Sequence, residues 1–297
     1  MPISSATDRL RVALTPGGNA DKGGASDRRS PAAFDRDARH SDAATALTVR
    51  GLRKTYHGPE GAHEVLRGID FSVQRGQSVA IVGANGSGKS TALRCSMRLI
   101  EPSAGDIRID NTAITGLSGK ALRQARAKVG FVFQRHNLCA RLSVLSNVLH
   151  GALARGAGPR AWSHSFASKL ERDQALESLQ QVGLADLAGR RADKLSGGQS
   201  QRVAIARALM QEPTMIFADE PVASLDPKAG RDVMTLFARL QQQAGITLVF
   251  VSHDLEHALD YSDRVIGLKS GRLVLDRSSS GLCPDDLAWL YETEAAE

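Results

Sequence analysis

The feature that most constrains this chain is one glycine-rich segment, Gly83-Ala84-Asn85-Gly86-Ser87-Gly88-Lys89-Ser90-Thr91. It follows a short apolar run at residues 78–82, typical of a buried strand, and leads into a helical run at residues 90–99. Glycines let the backbone approach a ligand closely, and a helix N-terminus attracts anions. This order of strand, loop, lysine, serine and helix therefore predicts an α/β fold with a phosphate-binding loop. Lys89 would reach the β- and γ-phosphates of a nucleotide, and Ser90 would contact Mg²⁺.

Two acidic residues end a second apolar run. Residues 214–218 have the pattern of a buried strand, and Asp219 and Glu220 follow. Because ligands of parallel sheets bind at the carboxyl ends of strands, Asp219 is expected to hold Mg²⁺ through water. Glu220 is then placed to orient or deprotonate an attacking water. Alone, the carboxylates could be solvated and the glycine-rich turn could bind nothing. Together, the two motifs predict a site that hydrolyses nucleotides.

A third segment predicts another anion-binding helix end. The residues Leu195-Ser196-Gly197-Gly198-Gln199 precede a helical run at residues 201–210. Serine is a favoured helix cap, and glycines expose backbone N–H groups to an anion. The chain therefore carries two candidate phosphate-binding elements that lie far apart in sequence.

With these motifs in place, residues 47–276 resemble the ATPase subunits of ATP-binding-cassette (ABC) transporters. The resemblance implies a P-loop NTPase (RecA-like) core with an antiparallel β subdomain. It also implies a helical subdomain at about residues 138–200 that carries the signature segment. ATP would be bound and hydrolysed with the help of Mg²⁺.

The resemblance gives a role to each matching residue. Tyr56 corresponds to the aromatic residue that stacks on adenine, and Gln134 to the glutamine near the membrane subunit. Glu220 corresponds to the catalytic base, and His253 to the switch histidine that contacts the γ-phosphate. Alone, such a tyrosine or histidine would indicate ordinary packing. The expected ATP-binding residues are Tyr56, Gly83, Ala84, Asn85, Gly86, Ser87, Gly88, Lys89, Ser90, Thr91 and Gln134, and the expected metal ligands are Ser90, Gln134 and Asp219.

The same resemblance implies that one chain does not complete the site. Ser196, Gly197, Gly198 and Gln199 match the signature that binds the γ-phosphate of ATP held by the other subunit. The run Ser224-Leu225-Asp226 matches the loop that couples the two sites across the dimer. Two copies of the chain would therefore pack head to tail around two ATP molecules and separate after hydrolysis.

Composition excludes some function classes. The 297 residues include 24% charged and 42% hydrophobic residues, as in ordinary globular proteins. The formal net charge of +6 could help at an anionic membrane, although a weakly basic surface is the simpler interpretation. Aromatic residues make up only 4%, and no basic run interleaves with them, which argues against nucleic-acid binding. Cys95, Cys139 and Cys283 lack paired or metal-binding spacing, which favours a reduced cytosolic setting.

The two ends of the chain differ from the rest. Residues 1–46 have few large apolar residues and predict a disordered extension, unless translation begins near Ala46. Residues 277–297 are expected to form a C-terminal tail, and residues 155–165 a surface loop. No segment offers about 20 consecutive apolar residues, so separate membrane subunits would have to supply any pore.

Segments between the motifs resemble the ATPase subunits of phosphonate importers, among them Ile114-Thr115-Gly116-Leu117 and residues 219–227. This implies a peripheral ATPase on the cytoplasmic face of the cell inner membrane. Its partners would be transmembrane permease subunits and a periplasmic substrate-binding protein. Two departures from the phosphonate pattern, Ser252-His253-Asp254 and Ala84-Asn85-Gly86-Ser87, leave phosphite or another oxyanion open.

Other members of the superfamily give further alternatives. An exporter ATPase stays open, because the absence of membrane segments does not decide the direction of transport. A soluble member that acts on ribosomes or on DNA is disfavoured by the single cassette and by the lack of a heptad stretch.

Overall fold

The computed structural model describes residues 45–59, 61–156 and 165–292. The strands are β1 Thr45–Gly58, β2 Gly61–Gln74, β3 Ser78–Val82, β4 Ala104–Ile109, β5 Thr112–Ala113, β6 Val129–Val132, β7 Met215–Asp219, β8 Thr247–Val251, β9 Arg264–Lys269 and β10 Arg272–Ser278. The helices are α1 Lys89–Ser96, α2 Gly119–Ala127, α3 Val144–Leu149, α4 Lys169–Gln181, α5 Gly197–Leu209, α6 Pro227–Ala244, α7 Leu255–Asp260 and α8 Pro284–Leu287. Short 3₁₀ turns include His150–Arg155 and Ala288–Leu290.

The main sheet has six strands in the order β10-β9-β3-β8-β7-β6. All pairs are parallel except β9 with β10. Every residue of β3, β7 and β8 is buried, because helices or the second sheet cover both faces. Side chains alternate along β3: Val79 and Ile81 join one core cluster, and Ala80 and Val82 join the other.

The second sheet is antiparallel, with the order β2-β1-β4-β5. Leu47, Val49 and Leu52 of β1 are buried and pack in the same core cluster as Leu93 of α1. This sheet therefore lies against the helix that follows the glycine-rich loop. The predicted combination of a parallel core with an antiparallel β subdomain is confirmed.

The helices α3, α4 and α5 pack against one another on the other side of the main sheet. Helices α4 and α5 both begin with a capping box, formed by Ser168 with Glu171 and by Ser196 with Gln199. Among the described residues, no helix is long and apolar enough to cross a membrane.

One predicted helix is shorter than expected. The helical run at residues 90–99 forms α1 only to Ser96, and Arg98 adopts a left-handed φ of 50°. The guanidinium of Arg98 donates to the carbonyls of Ile114 and Leu117, each at 2.6 Å. The helix therefore ends early beside a tertiary contact, which the local sequence pattern does not reveal.

Three predicted segments lie partly outside the described residues. Of the predicted N-terminal extension, residues 1–44 lie outside them, whereas Thr45 and Ala46 belong to β1. Of the predicted loop at 155–165, residues 157–164 lie outside them. The predicted tail is described to residue 292 and contains the end of β10, α8 and a 3₁₀ turn.

Candidate functional site

The predicted site residues meet at one edge of the main sheet. Strands β3, β8, β7 and β6 are neighbours in that order and run parallel, so their carboxyl ends lie side by side. Gly83 and Glu220 follow β3 and β7 at once, and His253 and Gln134 lie two residues after the ends of β8 and β6. Residues separated by up to 170 positions in sequence are therefore brought together by strand order alone.

The glycine-rich loop requires glycine at two positions. Gly83 has a φ of 142°, and a Cβ there would lie 2.1 Å from the carbonyl oxygen of Leu268. Gly88 has a φ of 102°, and a Cβ there would lie 2.8 Å from Cδ2 of Leu66. The loop is therefore pressed between β9 and β2, while Asn85 and Gly86 at its tip stay exposed.

The side chain of Lys89 lies beneath this loop. It is 4% exposed, and its Nζ donates to the carbonyl oxygens of Gly83 at 2.8 Å and Ala84 at 2.9 Å. Burial lowers the pKa of Lys89, and the carboxylates of Glu220 and Asp219 oppose that shift. The loop therefore holds a buried amine next to two acidic groups.

Asp219 is buried, with one oxygen bound and the other unpaired. Its Oδ2 accepts from Nε of Arg94 at 3.0 Å and from Nη2 at 2.8 Å. Its Oδ1 is buried and has no hydrogen-bond partner among the described residues. An unpaired buried carboxylate oxygen is costly, so this atom is suited to a ligand such as hydrated Mg²⁺.

Glu220 has both carboxylate oxygens engaged. Its Oε2 accepts from Nε2 of Gln134 at 2.8 Å, and its Oε1 lies 2.5 Å from Nε2 of His253. In this contact the Nε2–H tautomer of His253 would donate to an ionised Glu220. Glu220 also has a φ of 50°, which is uncommon for a residue other than glycine. Its carboxylate is therefore held in one orientation at the end of β7.

The structure locates the other residues that were predicted to bind the nucleotide. Ser90 and Thr91 lie in the first turn of α1 and are partly buried. Tyr56 on β1 is 41% exposed, and Nζ of Lys54 lies 4.7 Å from the centroid of its ring. The role of Tyr56 in adenine stacking stays a prediction.

The signature segment is separate from the glycine-rich loop, and its side-chain hydrogen bonds join residues of the segment itself. Ser196 caps α5: its Oγ accepts from the backbone N–H of Gln199 at 3.3 Å, and its own N–H donates to Oε1 of Gln199 at 3.0 Å. Ser196 and Gly197 are exposed. Within the part of the chain that the structure describes, no hydrogen bond joins residues 196–199 to the glycine-rich loop.

The signature segment also packs on the predicted coupling loop. A Cβ on Gly197 would lie 3.1 Å from Cδ2 of Leu225, and one on Gly198 would lie 3.0 Å from Cβ of Ala229. Asp226 caps α6 by accepting from the backbone N–H groups of Lys228 and Ala229 at 3.1 and 2.9 Å. Ser224 is exposed beside it. The signature segment therefore packs against the predicted coupling loop within one chain.

Three residues near the site were not found by sequence reasoning. Arg94 holds Asp219, and Tyr291 contacts the backbone of Gly83 and His253. Arg207 of α5 donates to the carbonyl oxygens of His136 and Asn137, just after Gln134. Burial lowers the pKa of Arg207. None of the three belongs to a motif that the sequence reveals, because each acts through a distant contact.

The chain is similar to proteins of one known family. Residues 66–223 match the family described as ABC transporter. The chain is 45% identical, over 84% of its length and 92% of the relative, to the phosphonates import ATP-binding protein PhnC of Nitratidesulfovibrio vulgaris. It is 41% identical to a second such protein, PhnC 2 of Oceanobacillus iheyensis, over 85% of this chain and 98% of the relative.

Solved structures give the same picture. The dimeric bacterial ABC transporter cassette MJ0796 is 35% identical and superposes with a TM-score of 0.70 over 80% of this chain and 100% of that one. Its post-hydrolysis dimer bound to ADP and Pi gives a TM-score of 0.69, also at 35% identity, over the same shares of the two chains.

Proposed function

Because the chain belongs to the ABC transporter family and is one of its ATP-hydrolysing subunits, we propose that it powers the import of phosphonate across the cell inner membrane. One contact network carries the chemistry: the carboxylate of Glu220 held between Gln134 and His253, beside the glycine-rich loop. The likeness to two phosphonate import proteins over nearly their whole length supports the cargo. We assign residues 47–276 to the ATPase domain and about 138–200 to its helical subdomain.

The glycine-rich loop is proposed to hold the phosphates of ATP. Its exposed tip, at Asn85 and Gly86, leads into the N-terminus of α1, where backbone N–H groups and the helix dipole attract an anion. Lys89 would exchange its contacts with the loop carbonyls for contacts with the β- and γ-phosphates. Tyr56 would stack on the adenine.

The residues present fit a Mg²⁺ ion that arrives with the nucleotide. Bound Mg²⁺ neutralises charge on the phosphates during transfer. The unpaired Oδ1 of Asp219, the hydroxyl of Ser90 and the amide of Gln134 would hold it. Among the described residues, no group of three His, Cys, Asp or Glu side chains could hold a metal by itself, and Mg²⁺ usually needs only one or two carboxylates with phosphates.

Glu220 is proposed to activate the attacking water. A carboxylate whose orientation is fixed by Gln134 can accept a proton from a water in line with the γ-phosphate. His253 would turn from Glu220 toward the γ-phosphate, since its Nε2–H tautomer carries a proton that a phosphate oxygen can accept. Hydrolysis would then break a contact that only ATP provides.

The second half of the site is proposed to come from another copy of this chain. Ser196, Gly197, Gly198 and Gln199 would bind the γ-phosphate of ATP held by that copy, and residues 224–226 would couple the two sites. The exposure of Ser196 and Gly197 supports this assignment, because a helix end covered by its own chain would be closed to a partner.

Permease subunits are proposed to dock in a groove of about 450 Å³ between the main sheet and the helical side. The exposed side chains of Leu99 and Leu153 line it, with Phe133 next to Gln134 and with Arg207 of the signature helix. A partner seated there would lie one residue from Gln134 and would contact the helix that begins with the signature segment. A periplasmic substrate-binding protein would complete the importer, with this chain on the cytoplasmic face.

Growth of a deletion strain on a phosphonate as sole phosphorus source tests the cargo and the catalytic base together. The wild-type gene, Glu220→Gln and Glu64→Gln would be returned separately. Glu64→Gln is the control for the same exchange, because Glu64 forms an exposed ion pair with Arg53 on the antiparallel sheet. We expect growth with the wild type and Glu64→Gln, and none with Glu220→Gln, whose ATP hydrolysis should fall about 1,000-fold.

Parallel cultures separate the possible failures. Growth of all strains on phosphate shows that the deletion acts on uptake. If the wild-type gene restores growth on phosphite but not on phosphonate, the cargo is phosphite, and the assignment as an ATPase is unchanged. Wild-type turnover by purified Glu220→Gln would exclude Glu220 as the base.

A further inference from the structure

The C-terminal tail is anchored next to the glycine-rich loop. Leu287 and Leu290 are completely buried, and Leu290 packs where Gly267 of β9 has no side chain. A Cβ on Gly267 would lie 2.9 Å from Cδ1 of Leu290. Nζ of Lys269 donates to the carbonyl oxygen of Trp289 at 3.1 Å. Apolar and polar contacts therefore fix the tail immediately before Tyr291.

The hydroxyl of Tyr291 lies between two segments of the site. It accepts from the backbone N–H of Gly83 at 3.4 Å and donates to the backbone carbonyl of His253 at 3.5 Å. One hydroxyl can donate and accept at the same time, so the two bonds are compatible. Burial raises the pKa of Tyr291, so the hydroxyl keeps the proton that its bond to His253 needs.

These two contacts add to a connection that the sheet already makes. Strands β3 and β8 pair as far as Ile81 and Val251, and the backbone N–H of Ser252 donates to the carbonyl oxygen of Ile81 at 3.2 Å. Gly83 begins the loop after β3, and His253 follows β8, the neighbouring strand. The imidazole of His253 lies 2.5 Å from Glu220. The phenol therefore bridges the two backbones one step beyond the bond between Ser252 and Ile81, at Gly83 and at His253 itself.

We propose that Tyr291 is a positioning residue for ATP hydrolysis, whose hydroxyl fixes the backbone of His253 against the start of the phosphate loop. The inference rests on the proposed function, because it needs His253 to act on the γ-phosphate. The last turn of the tail then belongs to the hydrolytic machinery, although no motif of the sequence includes it.

The test compares Tyr291→Phe with wild type in the full chain, using single-turnover ATP hydrolysis and the Kd for ATP. Phenylalanine keeps the ring and its packing and removes only the hydroxyl. We expect the hydrolysis rate to fall about fivefold, as for the loss of one ordinary hydrogen bond, with a Kd within about twofold of wild type. Tyr261→Phe is the matched control, since the hydroxyl of Tyr261 contacts Thr235 of α6 instead of Gly83 or His253 and should leave the rate unchanged.

A double-mutant cycle separates positioning from general destabilisation. If Tyr291 acts through His253, Tyr291→Phe should slow a His253→Gln chain by less than about twofold. A fivefold loss on top of His253→Gln would overturn the proposal, as would an equal loss in Tyr261→Phe. Thermal unfolding of each variant shows whether a rate change reflects loss of folded protein.

The outcomes also distinguish this inference from the proposed function. If the wild-type chain hydrolyses ATP and the Tyr291→Phe chain is equally active, only the proposed role of Tyr291 is contradicted. A His253→Gln chain as active as wild type contradicts the proposed role of His253, and the positioning role of Tyr291 with it.

Discussion

Two regions of this molecule are proposed to bind phosphate by similar means, and they differ in how completely one chain builds them. The catalytic edge, formed by Lys89, Gln134, Asp219, Glu220 and His253, is joined by contacts within the chain. The signature surface, residues 196–199, is an exposed helix N-terminus whose side-chain hydrogen bonds stay within the segment. Both use glycines and a helix end, yet only the first brings together groups that could act on a phosphate.

The difference between the two regions indicates how to recognise one half of a site that two chains build together. A helix end that is capped by its own residues is already stable, so its exposure is not a folding defect. The packing of Gly197 and Gly198 on Leu225 and Ala229 links this surface to the coupling loop and not to the catalytic edge. A surface of this kind is suited to a ligand that another chain presents.

The largest expected effect tests the catalytic edge. Lys89→Met keeps the aliphatic stem and removes the charge, and we expect the Kd for ATP to rise about 100-fold, as for the loss of a charge-assisted contact. The exchange also leaves the carbonyl oxygens of Gly83 and Ala84 without their donor and removes the positive charge beside Asp219 and Glu220, so we expect the free energy of unfolding to fall by about 1 kcal/mol. Nucleotide titration and thermal unfolding measure the two quantities.

Lys120→Met is the control for that exchange, because Lys120 is exposed on α2. It should change neither quantity. An unchanged ATP affinity in Lys89→Met would show that the catalytic edge does not bind phosphate through Lys89. The proposed similarity between the two regions would then be wrong.

The next effect tests the signature surface. Ser, Asp and Asn are all good helix caps, so Ser196→Asp and Ser196→Asn should both leave α5 stable. Only aspartate places a negative charge where the γ-phosphate of the partner's ATP is expected. We expect ATP-driven dimerisation to weaken about 30-fold in Ser196→Asp and less than about threefold in Ser196→Asn, measured in a Glu220→Gln background by light scattering.

Affinity for ATP in the monomer should be the same in both variants. A loss of monomer affinity in Ser196→Asp would place the signature in its own chain's site. Equal dimerisation of the two variants would show that this surface does not meet a phosphate.

The last prediction tests whether Arg94 supports Asp219 at the catalytic edge. Arg94→Met leaves the buried carboxylate of Asp219 without its partner, and we expect a loss of about 2 kcal/mol in unfolding free energy. Arg108→Met removes an exposed pair with Asp106 and should cost less than about 0.5 kcal/mol. Denaturant unfolding measures both, and equal values would mean that Arg94 does not support Asp219.

Much of the fold was open to prediction because local patterns were consistent with it. The strand at residues 78–82 has the predicted bounds, since an apolar β-branched run of this length is buried on both faces. The early end of α1 was not predictable, because Arg98 bonds to carbonyls 16 and 19 residues further along the chain. Local periodicity contains no information about such contacts.

The sequence by itself determined which residues could handle phosphate, because a glycine-rich loop, a lysine and two carboxylates after apolar strands leave few other chemical uses. Only the tertiary structure decided their neighbours. The parallel order β3-β8-β7-β6 places His253 and Gln134 on the two oxygens of Glu220, and the folded tail places Tyr291 between two strand ends. These contacts depend on distances across the sheet, and a one-dimensional pattern does not specify them.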